Sequence, residues 1–232
     1  MTKVGVVLFP GSNCEQDVLE AVRRLGAEGE LLWHADASVT GVDAVVVPGG
    51  FAHGDYLRPG ALARFIPVMG AVTRFAAEGG PVVGICNGFQ VLTEAGLLPG
   101  ALSKNRGLTF RCELTSLRVD SRKSALTEGV EEGTILRVPI NHFEGNYQCD
   151  AATLATLRDE DRIVLRYVEN PNGSVDDIAG ICSADGNVVG LMPHPERASH
   201  PLLGSEDGNL LLTSLLAAAA RRAGLAVSSP TG

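Results

Sequence analysis

The stretch Val83-Gly84-Ile85-Cys86-Asn87-Gly88-Phe89-Gln90 joins a short apolar run to a helical pattern, with a cysteine at the corner. Pro81 to Ile85 reads as a buried strand, and Asn87 to Ala95, closed by Gly96, reads as a helix. Gly84 and Gly88 flank Cys86 at the offsets that relieve crowding in a sharp strand-to-helix turn, where the central side chain is thrust above a sheet. Such a junction belongs to an α/β fold, and the residues before it repeat the same grammar.

Val4 to Phe9 is a near-continuous apolar run, expected of a strand covered on both faces, and it stops at Pro10-Gly11. A helix follows, with Ser12 or Asn13 as its cap, Glu15 and Asp17 at its positive end, and Val18, Ala21, Val22 and Leu25 on its inward stripe. Leu31 to Trp33 and Ala44 to Val47 read as further strands. Leu62 to Phe75 is a helical pattern that Pro67 kinks or splits. Parallel strands joined by helices need right-handed crossovers, which predicts a flavodoxin-like or Rossmann-like sheet.

After residue 100 the pattern changes. Glu113 to Val119, Ile135 to Ile140 and Ile163 to Val168 read as strands separated by polar turns rather than helices. Ile178 to Ser183 and Asn187 to Met192 flank Ala184-Asp185-Gly186, and Asp-Gly between apolar runs signals a hairpin. Ser205, Glu206 and Asp207 open a last helix whose Leu211, Leu212, Leu215, Leu216 and Ala219 face inward, with Arg221 and Arg222 at its negative end. The expected architecture is α/β: a flavodoxin-like, mostly parallel sheet flanked by helices, with antiparallel additions in the C-terminal half. It forms one domain over residues 1–224, with 225–232 as a loose tail.

Composition narrows the function. Of 232 residues, 27 are acidic and 19 basic, a net charge of -8 without any run of Lys or Arg, so the basic footprint of a nucleic-acid binder is missing. Cys14, Cys86, Cys112, Cys149 and Cys182 make an odd count with no C-x-x-C pair, which fits reduced thiols better than a disulfide framework or a metal knuckle. The longest strongly apolar uncharged run, Leu210 to Ala220, is far short of the roughly 18 residues of a membrane span. The N-terminal apolar run is too short for a secretory leader, and the expected location is the cytoplasm.

The chemistry centres on Cys86. A thiolate is the nucleophilic form, and the amino end of the following helix favours negative charge there. A base and an orienting group are needed, and five histidines are available. Met192-Pro193-His194-Pro195-Glu196 follows a predicted strand; Pro195 keeps His194 extended, and Glu196 is placed to accept the imidazole N–H and fix its tautomer. Pro48-Gly49-Gly50-Phe51, at the carboxyl end of a neighbouring strand, supplies backbone donors for a developing oxyanion, with the Asn87 N–H as the other donor. Each feature alone has an ordinary explanation: an inert core cysteine, an exposed turn, a strand-to-loop corner. Their conjunction favours acyl transfer.

In that order, Pro-Gly-Gly, Gly-x-Cys-x-Gly-x-Gln and Pro-His-Pro-Glu, the sequence resembles the class I, triad-type glutamine amidotransferases over nearly its whole length. Phe9 to Cys14, Gly50 to Gly60 and Pro193 to Arg197 resemble a separate-subunit member of that family serving purine biosynthesis. The resemblance implies Cys86 as nucleophile, His194 as base and acid, and Glu196 as its orienter. Gly49, Gly50, Asn87 and Gln90 are the implied oxyanion and substrate residues, with L-glutamine as substrate and no metal. It implies no cofactor in this chain. ATP and Mg are expected on a large synthetase subunit that consumes the ammonia, joined in some members by a small third subunit. The sequence carries no G-x-x-x-x-G-K-[ST] phosphate loop of its own. At Asn141-His142-Phe143-Glu144-Gly145 the family more often has glycine at the Phe143 position, and no substrate contact is assigned to that loop. The loop Phe51 to Gly60, with His53, Asp55, Tyr56 and Arg58, reads as partner-facing or gating. Three alternatives stay open: a glutaminase of another amidotransferase, a cysteine esterase or protease of related fold, and a mononucleotide binder using Gly11-Ser12-Asn13.

Overall fold

A computed structural model of the protein describes residues 1–225. The loose tail expected at 225–232 lies outside the described residues except for Leu225. Eleven strands and five α-helices follow one another as β1 Lys3–Leu8, α1 Glu15–Arg24, β2 Glu28–Trp33, β3 Ala44–Val47, α2 Pro67–Ala77, β4 Val82–Ile85, α3 Asn87–Glu94, β5 Ala101–Ser103, β6 Arg111–Val119, β7 Ile135–His142, β8 Asn146–Gln148, α4 Ala151–Asp159, β9 Ile163–Tyr167, β10 Ile178–Cys182, β11 Val188–Leu191 and α5 Gly208–Arg222.

Nine strands form one mixed sheet in the order β2-β1-β3-β4-β11-β10-β9-β6-β7. The first five are mutually parallel, in the flavodoxin-like order with β11 in the fifth place. From β11 outward every pairing is antiparallel, so only β10 and β6 run against the other strands. β10 and β11 are the hairpin that Asp185-Gly186 signals. The small β5–β8 pair stands apart from this sheet.

The apolar runs of β1, β3, β4 and β11 are buried because helices cover the parallel block. α1 packs on β1 and β2, α3 on β3, β4 and β11, and α5 on β3 and β7. α3 anchors itself through Phe89, Val91 and Leu92, all fully buried, and at roughly 1.5–3 kcal/mol for each large side chain this fixes the helix on the sheet beneath the corner. Pro67 splits the pattern it interrupts: a 3-10 turn, Ala63–Phe65, ends before it, and α2 begins with it.

Two expectations are corrected. The cap of α1 is neither Ser12 nor Asn13: the helix starts at Glu15 behind Cys14, and the Ser12 hydroxyl instead accepts the Phe9 N–H, closing the turn after β1. Polar turns alone do not separate the later strands either. α4 lies between β8 and β9, capped by Asp150, whose carboxylate accepts the Thr153 N–H. No helix among the described residues is long and apolar enough to cross a membrane.

Candidate active site

The site forms where β4 and β11 lie side by side, with Ile85 opposite Leu191. Their sequence neighbours on the carboxyl side are Cys86 and the Met192-Pro193-His194 segment, so two stretches more than a hundred residues apart emerge from the same edge. The Cys86 N–H donates to the Leu191 carbonyl at 2.8 Å, continuing the pairing one residue past the strand. Cys86 itself has φ 52 and ψ -105. Such a conformation costs a non-glycine residue roughly 1–3 kcal/mol, and only its surroundings hold it there. Those surroundings need bare backbone: a Cβ on Gly88 would fall 1.9 Å from the Val47 carbonyl oxygen, and one on Gly84 would fall 2.6 Å from that of Gly88. The glycine spacing noted in the sequence is therefore a packing requirement of the turn.

His194 and Glu196 are both almost fully buried, and Nδ1 of His194 lies 2.6 Å from Oε1 of Glu196. The His194 backbone stays extended at φ -106 and ψ 86 before Pro195, and its N–H donates to the Pro139 carbonyl of β7. Burial alone would lower the imidazole pKa. The Glu196 carboxylate, helped by the Cys86 and Cys14 sulfurs, overrides it and holds His194 well above the usual histidine range. Nε2 of His194 and Oε2 of Glu196 have no hydrogen-bond partner among the described residues.

Gly49 brings the third part of the pattern to the same place. A Cβ there would lie 2.7 Å from His194 Cε1 and 3.5 Å from Cys86 Cβ, so imidazole and cysteine face the same bare residue. The Gly49 carbonyl accepts the Asn13 and Cys14 N–H groups at 3.2 and 3.3 Å, which ties the loop after β1 to the Pro-Gly-Gly turn. The N–H groups of Gly50 and Asn87 donate to no acceptor among the described residues.

The Asn87 side chain organises the rim. Its Oδ1 accepts the Ala52 N–H at 3.0 Å, while Nδ2 donates to Asp55 Oδ1 at 3.1 Å and to Gln90 Oε1 at 2.8 Å. Nε2 of Gln90 donates in turn to the Glu144 carbonyl at 2.6 Å. Both ends of Gln90 are thus engaged with protein, bracing the elbow against the turn that follows β7. Burial raises the Asp55 pKa to about 6, with the Asn87 amide opposing and nearby Glu144 assisting. The Phe51 to Gly60 loop carries positive φ at His53, Gly54, Asp55 and Leu57, and its Phe51, Tyr56 and Leu57 are exposed.

Two contributors escaped sequence reasoning. The stretch expected as a loop at 141–145 is in fact the end of β7 and the turn after it, and it walls the site with main-chain atoms: Cys86 Sγ is 3.6 Å from the Asn141 carbonyl, and the Glu144 carbonyl receives Gln90. A backbone contribution leaves no trace in side-chain identity. Cys14 is the other. It is buried beside the imidazole, where Arg197 donates to its sulfur at 3.3 Å, and the Gly49 Cβ position lies 3.1 Å from that sulfur. Its only signal in sequence was its place in the Phe9–Cys14 stretch.

Residues 1–207 match the family of the CobB/CobQ-like glutamine amidotransferase domain. The phosphoribosylformylglycinamidine synthase subunit PurQ of Rubrobacter xylanophilus is 62% identical over 217 residues, covering 94% of this chain and 99% of that one. Its namesake in Moorella thermoacetica is 53% identical over 224 residues, with 92% and 95% of the two chains covered. Among solved structures, a chain of PurLQS from Thermotoga maritima superposes with a TM-score of 0.86 at 40% identity, over 93% of this chain and 97% of that one.

Proposed function

The chain belongs to the CobB/CobQ-like glutamine amidotransferase domain family, and from that membership we propose how its residues work. It is the glutaminase subunit of phosphoribosylformylglycinamidine synthase, acting with the large synthetase subunit and the small third subunit in purine biosynthesis. Its substrate is L-glutamine. In this reading ATP and magnesium are used on the large subunit, this chain carries no cofactor, and the reaction runs in the cytoplasm, which the five unpaired cysteines support.

Cys86 Sγ attacks the side-chain carbonyl carbon of glutamine, its proton passing to His194. The oxyanion of the tetrahedral adduct is held by the free N–H groups of Gly50 and Asn87, with Gly49 keeping the turn close enough for them to reach. His194 gives the proton to the amide nitrogen, the carbon–nitrogen bond breaks, and ammonia leaves. A water then attacks the thioester, yielding its proton to His194; the carbon–sulfur bond breaks, glutamate departs, and Cys86 regains the proton. Glu196 keeps the imidazole in one orientation and offsets its charge. Gln90 lines the substrate pocket while bracing Asn87 and the Glu144 carbonyl. The Phe51 to Gly60 loop, tied to the elbow through Asp55 and Asn87, faces the partner.

The observation that carries these roles is the left-handed Cys86 beside a buried His194–Glu196 pair, both against Gly49. The test is a glutamine-like electrophile, a diazoketone analogue of the amino acid, added to the reconstituted complex. Mass spectrometry should find it on Cys86 alone, with glutamate release lost in proportion. Labelling elsewhere, or full hydrolysis after Cys86 is modified, would remove the cysteine from its role.

A further inference from the structure

The Glu144 carbonyl that holds Gln90 belongs to the turn at 143–145, between β7 and β8. An irregular segment keeps one shape only where its backbone groups have fixed partners. Here much of the fixing comes from a side chain that the proposed reaction does not use. Asn105 lies between β5 and β6 and is 1% exposed. Its Nδ2 donates to the Thr109 carbonyl at 2.9 Å and to the His142 carbonyl at 3.0 Å. Its Oδ1 accepts the Gly145 N–H at 3.1 Å and lies 3.1 Å from Nδ1 of His142. Both donor and both acceptor positions of the amide are therefore spent, and the Asn105 N–H donates in addition to the Phe143 carbonyl at 2.9 Å.

Two donations to carbonyls decide which end of the amide is oxygen, so Nδ1 of His142 must carry the ring proton. Burial, helped by the charge of His194, lowers the His142 pKa to about 4 and keeps the ring neutral at ordinary pH. Nε2, which has no partner among the described residues, is then the bare nitrogen, and no ring N–H is left buried and unpaired. The ring lies flush against residue 145, where a Cβ would fall 2.3 Å from His142 Cε1. From the other side Nδ2 of Asn172 donates to the Gly145 carbonyl at 2.8 Å. The Phe143 carbonyl, the Gly145 N–H and the Gly145 carbonyl are thus all engaged away from the site. The Glu144 carbonyl between them is presented to Gln90 at 2.6 Å.

We propose that Asn105 is a positioning residue for glutamine: by clamping the end of β7 and the turn after it, it sets the Glu144 carbonyl against Gln90 and so fixes the amide that lines the substrate pocket. It acts through the turn and not on the reacting atoms. The inference rests on the reading of Gln90 as a substrate-lining residue. The residue type follows from the bonds. Aspartate has no donor for the two carbonyls, and leucine, close in shape, has neither donor nor acceptor.

The test is steady-state glutamate release by the reconstituted complex as glutamine is varied. Asn105→Ala should raise KM about tenfold. Its kcat should fall by less than about threefold, the mark of lost binding and not of lost chemistry. A double-mutant cycle separates positioning from general weakening. In a Gln90→Ala background, Asn105→Ala should change KM by less than about twofold, because the group it positions is gone; additive effects would overturn the proposal. Asn105→Asp keeps both acceptances and loses both donations, and it should raise KM in the same direction. Far-ultraviolet circular dichroism checks that each variant folds. If neither Asn105 variant does, nitrogen NMR of the unaltered chain with labelled histidine decides. It should find His142 neutral with its proton on Nδ1, and a proton on Nε2 would overturn the clamp. A collapse of kcat at unchanged KM would also overturn it. Asn105→Ala without effect on KM, where Gln90→Ala raises it, faults this proposal alone. An unchanged KM in Gln90→Ala faults the reading of Gln90 and takes the proposal with it.

Discussion

In the parallel block, β3, β4 and β11 are buried at every position, whereas β7 at the far edge alternates buried with exposed or half-buried residues along most of its length. The first pattern is that of strands covered on both faces, the second that of a sheet with one wet side. The two regions also serve the site differently. The parallel block sends out the side chains assigned to the chemistry, Cys86 from β4 and His194 and Glu196 after β11, together with the Gly49-Gly50 turn after β3. The antiparallel region supplies main-chain oxygens: Pro139 receives the His194 N–H, Asn141 faces the Cys86 sulfur, and Glu144 receives Gln90. One half carries reactivity by residue identity, the other positions it by backbone.

That contrast breaks most directly at Cys86. Cys86→Ala should lower glutamine-dependent synthesis by at least about 10⁴-fold while ammonia-dependent synthesis by the complex persists; loss of both would make the residue structural. His194→Ala should cost nearly as much. Glu196→Gln, which alters the proposed orienting group, should be roughly a hundredfold milder than His194→Ala in steady-state glutamate release. Gly88→Ala sharpens the comparison from the side of stability. Its methyl meets the Val47 carbonyl, so thermal unfolding should show a loss of about 1–3 kcal/mol or more, and an unchanged melting temperature would mean that the elbow can relax. Asn141→Ala probes the other half: since its carbonyl is what reaches the sulfur, hydrolysis should change by less than about tenfold, and a larger loss would give the side chain a role.

The smallest effect is expected at Asp55. Its native pKa of about 6 lies above the ordinary 3.8, so the folded state binds the proton more tightly than the unfolded state does. Its contribution to stability is therefore fully present below about pH 4 and is lost as pH rises toward and through about 6. Asp55→Asn removes this titration. The difference in melting temperature between variant and parent should shift in favour of the variant across that window and level off above it; a constant difference would contradict the raised pKa.

The parallel block was legible because its strands announce themselves as unbroken apolar runs and its helices as clear stripes, as Val18, Ala21 and Val22 do on α1. The elbow was legible because two glycines at fixed offsets have one steric use. α4 was not: Leu157 is its only buried residue, so burial imposed no stripe on Ala151 to Asp159. The cap of α1 was misread because Ser12, a good capping residue, spends its hydroxyl on the Phe9 N–H. Cys14 remained a plain cysteine in sequence. Its place beside the imidazole depends on the bridge between Ser12 and Gly50, a long-range pairing that no local pattern encodes.

The pairing of β4 with β11 has a consequence for the chain as it is made. A ribosome that has released everything up to Cys86 has delivered the proposed nucleophile while its proposed acid–base partner, His194, is still unsynthesised, and the slot beside β4 stays vacant until the final quarter of translation. Contacts of such sequence separation also form late and slowly. If Cys86 and His194 act as proposed, an unfinished or truncated copy consumes none of the cell's glutamine, a safeguard that comes from strand order alone.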